Sequence, residues 1–231
     1  MPLDDSHTQT QSSTPDFRSL PAGTERKQAF VGYLLPLVEA ENNRIGAQRK
    51  ALQCLFRKSQ TFSASEQRWL QKLAGDYRVK GFSLDDKGTW QELLSKVDKL
   101  PPSLALAQGA NESAWGTSRF AREGNNLFGL WCFNPGCGVV PLHRPEGATY
   151  EVASFTSIAG SVQAYMRTLN SHPGYRQLRD IRARQSPPQG EALAAGLVEY
   201  SARGTEYTAE LQQMIRYNRW QQLDNPEVSQ R

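Results

Sequence analysis

Residues 107–130 read AQGANESAWGTSRFAREGNNLFGL, and how the single acid near its start is read decides the rest. Pro101 and Pro102 precede it where proline fits best, at the first turn of a helix, so a helix is expected from about Ser103 through SLALAQGANESAW. Ala105, Ala107, Gly109 and Ala110 give it so little bulk that neighbouring elements can approach closely, as around a central buried helix. Glu112 then falls in the last turn, where unpaired carbonyls disfavour an anion by about 0.3–1 kcal/mol. Burial against Ala114 and Trp115 acts in the same direction, because desolvation penalises the charged form. A carboxyl kept protonated near neutral pH is what a glycosidic leaving group requires of its general acid. Position alone, however, suits a solvated carboxylate on a fraying helix end more often than a catalytic one.

Upstream, residues 1–20 are polar and rich in Ser, Thr and Gln and are expected to form a disordered leader. The N-terminus has no basic-then-apolar character, so it does not read as a signal peptide. From Thr24 to about Ser59, Phe30, Tyr33, Leu34, Leu37 and Val38 form one helical stripe, then Ile45, Leu52 and Leu55 another, with Pro36 a potential kink. Ser63 with Glu66, and Thr89 with Glu92, have the spacing of capping boxes. Downstream, Thr117 can cap a short helix over SRFAREG. Residues 139–155 carry β-branched residues on either side of Pro145-Glu146-Gly147 and are expected to form a hairpin. Ser157 opens a helix that His172-Pro173-Gly174 ends, and helices near 175–185, 190–199 and 205–220 precede a polar tail. Helices on both sides of one small β excursion make an α+β domain, mainly α.

Composition excludes several classes. Charged residues are 22% and hydrophobic residues 38% of the chain, with a net charge of +4. Lys and Arg are scattered and no reader motif is present, so a nucleic-acid partner is not expected. No apolar run approaches the roughly 20 residues that cross a bilayer. Cys132 and Cys137 flank Phe-Asn-Pro-Gly, whose turn chemistry brings two sulfurs within bridging range. A local disulfide, implying an oxidising compartment, and two free thiols both remain compatible with that spacing. His7, His143 and His172 are spread widely, so no metal or other cofactor is expected. Cys54, in a helical run, is expected to be a buried small hydrophobe.

The run ANESAWGTSRFAREGNNLFGLWCF resembles the catalytic core of glycoside hydrolase family 73, the peptidoglycan endo-β-N-acetylglucosaminidases of the lysozyme superfamily. The matching features are Glu112 to Gly116 and Asn125-Asn126-Leu127-Phe128-Gly129, supported by SFTSIAGSVQAYMRTLNSHPGYRQLR and EYSARGTEYTAELQQMI. The opening GTERKQAF…ENNRI and the CFNPGCG loop point to the Bax-like branch of these enzymes. Resemblance runs from about Asp16 to Trp220. It implies a lysozyme-like core over 101–222 with a small β-hairpin lobe, an N-terminal helical region over 21–100 packing on it, and a polar tail at 223–231.

The resemblance also implies the chemistry. Glu112 is the family's acid and would protonate the leaving oxygen of the β-1,4 bond between GlcNAc and MurNAc. Trp115, Asn126, Phe128, Tyr200 and Tyr207 match cleft positions. Flat aromatic faces suit pyranose rings, and an Asn amide both donates to and accepts from N-acetyl groups. The second carboxylate is Glu146 at the hairpin turn or, less favoured, Glu151 on the following strand; Glu123 reads as a solvated helix residue. Alternatively the substrate's own N-acetyl oxygen assists and no second acid is needed. Arg119, Arg122 and Arg144 either meet the carboxylates of murein or are ordinary surface arginines. A lytic transglycosylase or a muramidase on the same fold, and a non-catalytic wall-binding module, are the rival functions. The expected setting is the periplasm or cell envelope, with peptidoglycan strands as partner. If the protein is instead an exported antibacterial effector, a protective inhibitor or immunity protein is expected.

Overall fold

The computed structural model describes residues 14–58 and 61–225. At its centre is the small-residue helix α4 (Pro102–Ser113), in which Ser103 to Ala110 are all buried. Lack of bulk is what permits this. A Cβ on Gly109 would stand 2.8 Å from Leu34 Cδ2 and 3.4 Å from Phe128 Cε1, so α4 is approached from two sides at close range.

One of those sides is the long helix α1 (Thr24–Phe56), which stays helical through Pro36. Its Phe30, Leu34, Val38, Ile45 and Leu52 are buried, following the expected stripes. Asn42 ties α1 to the entry of α4: its amide nitrogen donates to the Leu100 carbonyl at 2.8 Å, and its oxygen accepts from the Leu100 N–H at 3.0 Å. Cys54 is exposed rather than buried, because it lies off the stripe set by Leu52 and Leu55. In α2 (Ala64–Asp76) the Ser63–Glu66 capping box forms as its spacing indicates. In α3 (Lys87–Lys96) the Thr89–Glu92 pair does not. Asp86 caps by accepting from the Gly88 N–H, and the Thr89 hydroxyl donates to the Asp86 carbonyl. Ser118, not Thr117, likewise caps α5 (Arg119–Gly124).

The β excursion is a three-stranded antiparallel sheet, β1 (Trp131–Cys132), β2 (Gly138–Val139) and β3 (Glu151–Ala153), in the order β1-β3-β2. The expected hairpin is the β2–β3 pair, with Val139 opposite Val152. Its connection turns at Pro145–Ala148, where Gly147 takes a positive φ, as the third residue of a type II turn must. β1 on the far side of β3 was not legible as a strand. Cys132 and Cys137 are bridged, with Cα atoms 6.2 Å apart.

Helix α6 (Ile158–Ser171), capped by Ser157, returns the chain to the helical body. It is followed by α7 (Arg176–Ala183), α8 (Gly190–Ala194) and α9 (Thr205–Tyr217). The element expected over 190–199 is shorter: after α8 the chain passes through a 3-10 turn at Val198–Tyr200. A helical body carrying one small sheet is the mainly α, α+β lysozyme-like arrangement that the sequence indicates.

Both expected polar ends are partly built into the core. Residues 1–13 of the leader lie outside the described residues, but Phe17 is buried and packs edge-on against Phe30 and Tyr33. Of the tail, residues 226–231 lie outside the described residues, while Asp224 is buried. Its carboxylate accepts from the Ser103 N–H, the Ser103 hydroxyl and the Gly190 N–H at 2.7–3.0 Å. It thereby caps the first turns of α4 and α8 together, a role for an anion that helix N-termini favour.

Candidate active site

The Glu-Ser-Ala-Trp-Gly run ends α4 by a sharp left-handed exit. Ala114, Trp115 and Gly116 take φ of 49°, 59° and 79° in succession. Such conformations cost non-glycine residues about 1–3 kcal/mol each and persist only where surroundings enforce them. Ser113 is one enforcer: its hydroxyl donates to the Gly109 carbonyl and accepts from the Gly116 N–H. The Phe17 ring is the other, lying where a Gly116 Cβ would stand 2.3 Å away. Ser113 and Gly116 therefore hold the turn, and the turn aims Glu112 and Trp115.

Glu112 is half-buried, neither in bulk solvent nor sealed in the core. Burial raises its pKa above the ordinary carboxylate value. A hydrogen bond from Tyr207 and the charge of Arg203 pull it partly back, and the charge of Glu210 adds to the rise. The net direction is the one expected from the sequence. Gly129 lies against the same carboxyl, for a Cβ there would be 3.3 Å from Glu112 Oε2 and its φ is 63°. The Asn-Asn-Leu-Phe-Gly run thus ends at the acid itself.

A relay of buried hydrogen bonds supports Glu112 from behind. The Tyr165 hydroxyl donates to Gln108 Oε1 at 2.7 Å, and Gln108 Nε2 donates to the Tyr207 hydroxyl at 3.0 Å. A phenol has one proton to give, and with Gln108 donating into it, Tyr207 gives that proton to Glu112. Gln108 sits four residues before Glu112, on the same face of α4. Arg203 lies over the Tyr207 ring at 5.5 Å and pairs with Glu210 at 2.8 Å. Gln108, Tyr165, Arg203 and Glu210 were missed from sequence. A lone Gln in a small apolar helix was the one visible signal.

The other expected site residues are placed as follows. Tyr207 has no exposure, so it positions the acid instead of touching a sugar. Phe128 is also fully buried, stacked on Tyr165 at 4.0 Å, and is packing. All four bonding positions of the Asn126 amide are taken by backbone: it donates to the Leu130 and Ala153 carbonyls and accepts from the Phe128 and Leu130 N–H groups. Nothing is left for an N-acetyl group, and Asn126 fixes the Phe128–Leu130 loop against Ala153. Tyr200 is half-exposed, its hydroxyl bonded to the Phe128 carbonyl at 2.6 Å and its ring parallel to that of Tyr207. Trp115 is half-buried between Phe30 and Trp220. It lines a shallow depression of about 310 Å³ with Lys27, Glu210 and Tyr217.

Of the two second-carboxylate candidates, Glu151 is buried and turned into the disulfide loop. Its oxygens accept from the Gly136 and Gly138 N–H groups at 3.0 and 2.8 Å, which hold its pKa below the ordinary value. Glu146 is exposed at the type II turn. Glu123 is exposed and paired with Arg119. Arg119 donates to the Val140 carbonyl and Arg144 to the Tyr150 carbonyl, so both brace the lobe. Cys132, Cys137 and Glu151 form the one cluster of potential metal ligands among the described residues, and its sulfurs are bonded to each other.

Comparison with known proteins agrees with this geometry. The family described as mannosyl-glycoprotein endo-beta-N-acetylglucosaminidase matches residues 87–219, from α3 through α9. The chain is 36% identical over 211 residues to "Protein bax" of Escherichia coli (strain K12), covering 90% of this chain and 75% of that one. No solved structure matches. A family match that spans more than half of the sequence, over a chain whose half-buried Glu112 ends a small-residue helix, places this chain in the glucosaminidase family.

Proposed function

We propose that the protein cleaves the β-1,4 bond between GlcNAc and MurNAc in peptidoglycan, with Glu112 as general acid. The observation that carries this is the state of Glu112: burial favours its protonated form, and Tyr207 fixes one oxygen by donation. When Glu112 is protonated, the oxygen that Tyr207 does not engage is the one to offer the proton to a glycosidic oxygen. General-acid transfer of this kind contributes about 10²–10⁴-fold to rate. Tyr200 and Trp115, both partly exposed, are the aromatic side chains of this reading that would contact pyranose rings.

For the second carboxylate we assign Glu146, since both oxygens of Glu151 are engaged by backbone. A carboxyl separation of about 6.5–9.5 Å in the complex corresponds to inversion and about 5–5.5 Å to retention. The bridged Cys132–Cys137 pair supports action in an oxidising compartment such as the periplasm. No helix among the described residues is long and apolar enough to cross a membrane.

Digestion of sacculi followed by mass spectrometry tests the assignment. Fragments reducing at GlcNAc are expected; reducing MurNAc indicates a muramidase and anhydro-MurNAc a lytic transglycosylase. In a zymogram, Glu112→Gln should abolish clearing while keeping shape and hydrogen bonding. Equal clearing by the variant and the parent removes Glu112 from the chemistry. Glu146→Gln should lower turnover without loss of binding, whereas full turnover would favour assistance by the substrate's N-acetyl group.

A further inference from the structure

Trp131 is 58% exposed, although burying a side chain of this kind is worth a few kcal/mol. It is not loose. Its ring stacks on Tyr150 at 4.5 Å with an interplanar angle of 7°, so one face is covered and the opposite face is open. The backbone beneath is held by three independent ties. Cys132, next to Trp131, is in the disulfide. Glu151, next to Tyr150 and directly opposite Cys132 in the sheet, grips the Gly136 and Gly138 N–H groups. Arg144 donates to the Tyr150 carbonyl. An exposed aromatic fixed on three sides is pre-organised, and pre-organisation lowers the entropic cost of binding.

Its position says what it is organised for. Trp131 follows Gly129, the residue against Glu112 Oε2, by two positions, and two residues span at most about 7 Å. That is on the order of the length of one sugar ring. We propose that the open face of Trp131, backed by Tyr150 and braced by the Cys132–Cys137 bridge, is a stacking platform that binds a pyranose of the glycan beside the scissile bond. The ligand class is a β-1,4-linked strand of N-acetylated sugars, whose apolar C–H faces match the indole. The inference rests on the proposed glycan substrate, and its placement beside the scissile bond rests on the proposed role of Glu112.

The test is calorimetric titration of the full chain carrying Glu112→Gln with tetra-N-acetylchitotetraose, a soluble β-1,4 strand of N-acetylglucosamine. Adding Trp131→Ala should weaken binding by about tenfold or more, and Trp131→Phe should recover part of the loss. Leu142→Ala removes another exposed apolar side chain of the lobe (80% exposed) and should leave affinity within about twofold. The double Cys132→Ser, Cys137→Ser variant should reproduce much of the Trp131→Ala loss with the indole still present. In the otherwise unaltered enzyme acting on solubilised glycan strands, Trp131→Ala should raise KM with little change in kcat. Unchanged affinity in Trp131→Ala, or an equal loss in Leu142→Ala, overturns the platform. Full affinity in the cysteine double variant overturns the brace. If Glu112→Gln still hydrolyses strands, the acid assignment fails, while the titration still decides the platform.

Discussion

At Glu112, stability and chemistry pull in opposite directions. Its pKa in the fold lies above the ordinary carboxylate value of about 4.3, chiefly because burial penalises the anion. A group shifted upward contributes stability that is fully present below its unfolded pKa and lost as pH rises through the folded one. Glu112→Gln, which cannot ionise, should therefore melt higher than the parent at neutral pH, with the two curves converging in acid. Thermal melts across pH check this, and a parent that melts higher at neutral pH contradicts it. Activity should fall as pH rises through the same raised pKa, because the proton to be donated is gone. Tyr207→Phe makes a sharper test. It removes a hydrogen bond that lowers the Glu112 pKa, so the alkaline limb of the pH–rate profile should move to higher pH while kcat drops. It also leaves buried Gln108 Nε2 without its acceptor, costing about 1–3 kcal/mol in denaturant melts. A limb that stays in place would show that Tyr207 does not touch the acid.

Among the elements, the exit from α4 concentrates strain next to the site. Gly116→Ala meets two obstacles together, a φ of 79° and the Phe17 ring at 2.3 Å. A loss of about 2–4 kcal/mol is expected from left-handed strain plus overpacking. Phe17→Ala in the same background should restore part of it, as double-cycle coupling between contacting residues predicts; chemical denaturation of the four proteins measures it. The motif explains itself here: Ser113 fastens the turn, Gly116 admits Phe17, and Glu112 is what the turn aims. In the lobe, short strands and the turn at Pro145–Ala148 supply the shape. The disulfide and the Glu151 carboxylate supply the rigidity that strands of two and three residues lack.

Over the whole molecule, the first and last of the described residues pack onto the central helix. Phe17 packs beneath the left-handed turn at Ala114–Gly116, and Asp224 caps α4 and α8 at once. Asp224→Ala would leave three donors at the buried start of α4 and α8 without their carboxylate. A loss of about 2–4 kcal/mol is expected, read in urea unfolding as a lower midpoint. Because α4 runs from that cap to Glu112, activity at elevated temperature should fail earlier as well.

Local chemistry was enough to find the elements that depend on local chemistry. The Phe30-to-Leu52 stripe of α1, the Ser63–Glu66 box, the Pro102 entry to α4 and the Ser157 cap are each settled within one turn of chain. The cysteines five apart were legible for the same reason, whereas Glu112 was picked out by the resemblance that its run and the Asn-Asn-Leu-Phe-Gly run carry. The roles of Asn126, Phe128, Tyr207 and Glu151 were not. Asn126 and Glu151 bond to backbone 27 and 13–15 residues away, and Tyr207 reaches Gln108 across 99. Which side of an amide or a phenol meets solvent is decided by partners that only the packed chain brings near. By itself the sequence determined the helices and their caps, because periodicity and capping are short-range, while Glu112 was singled out as a proton donor by the resemblance of its motif to a known family. Only the tertiary structure decided which groups surround Glu112 and which aromatic rings stay exposed, because burial and hydrogen-bond saturation are properties of the assembled core.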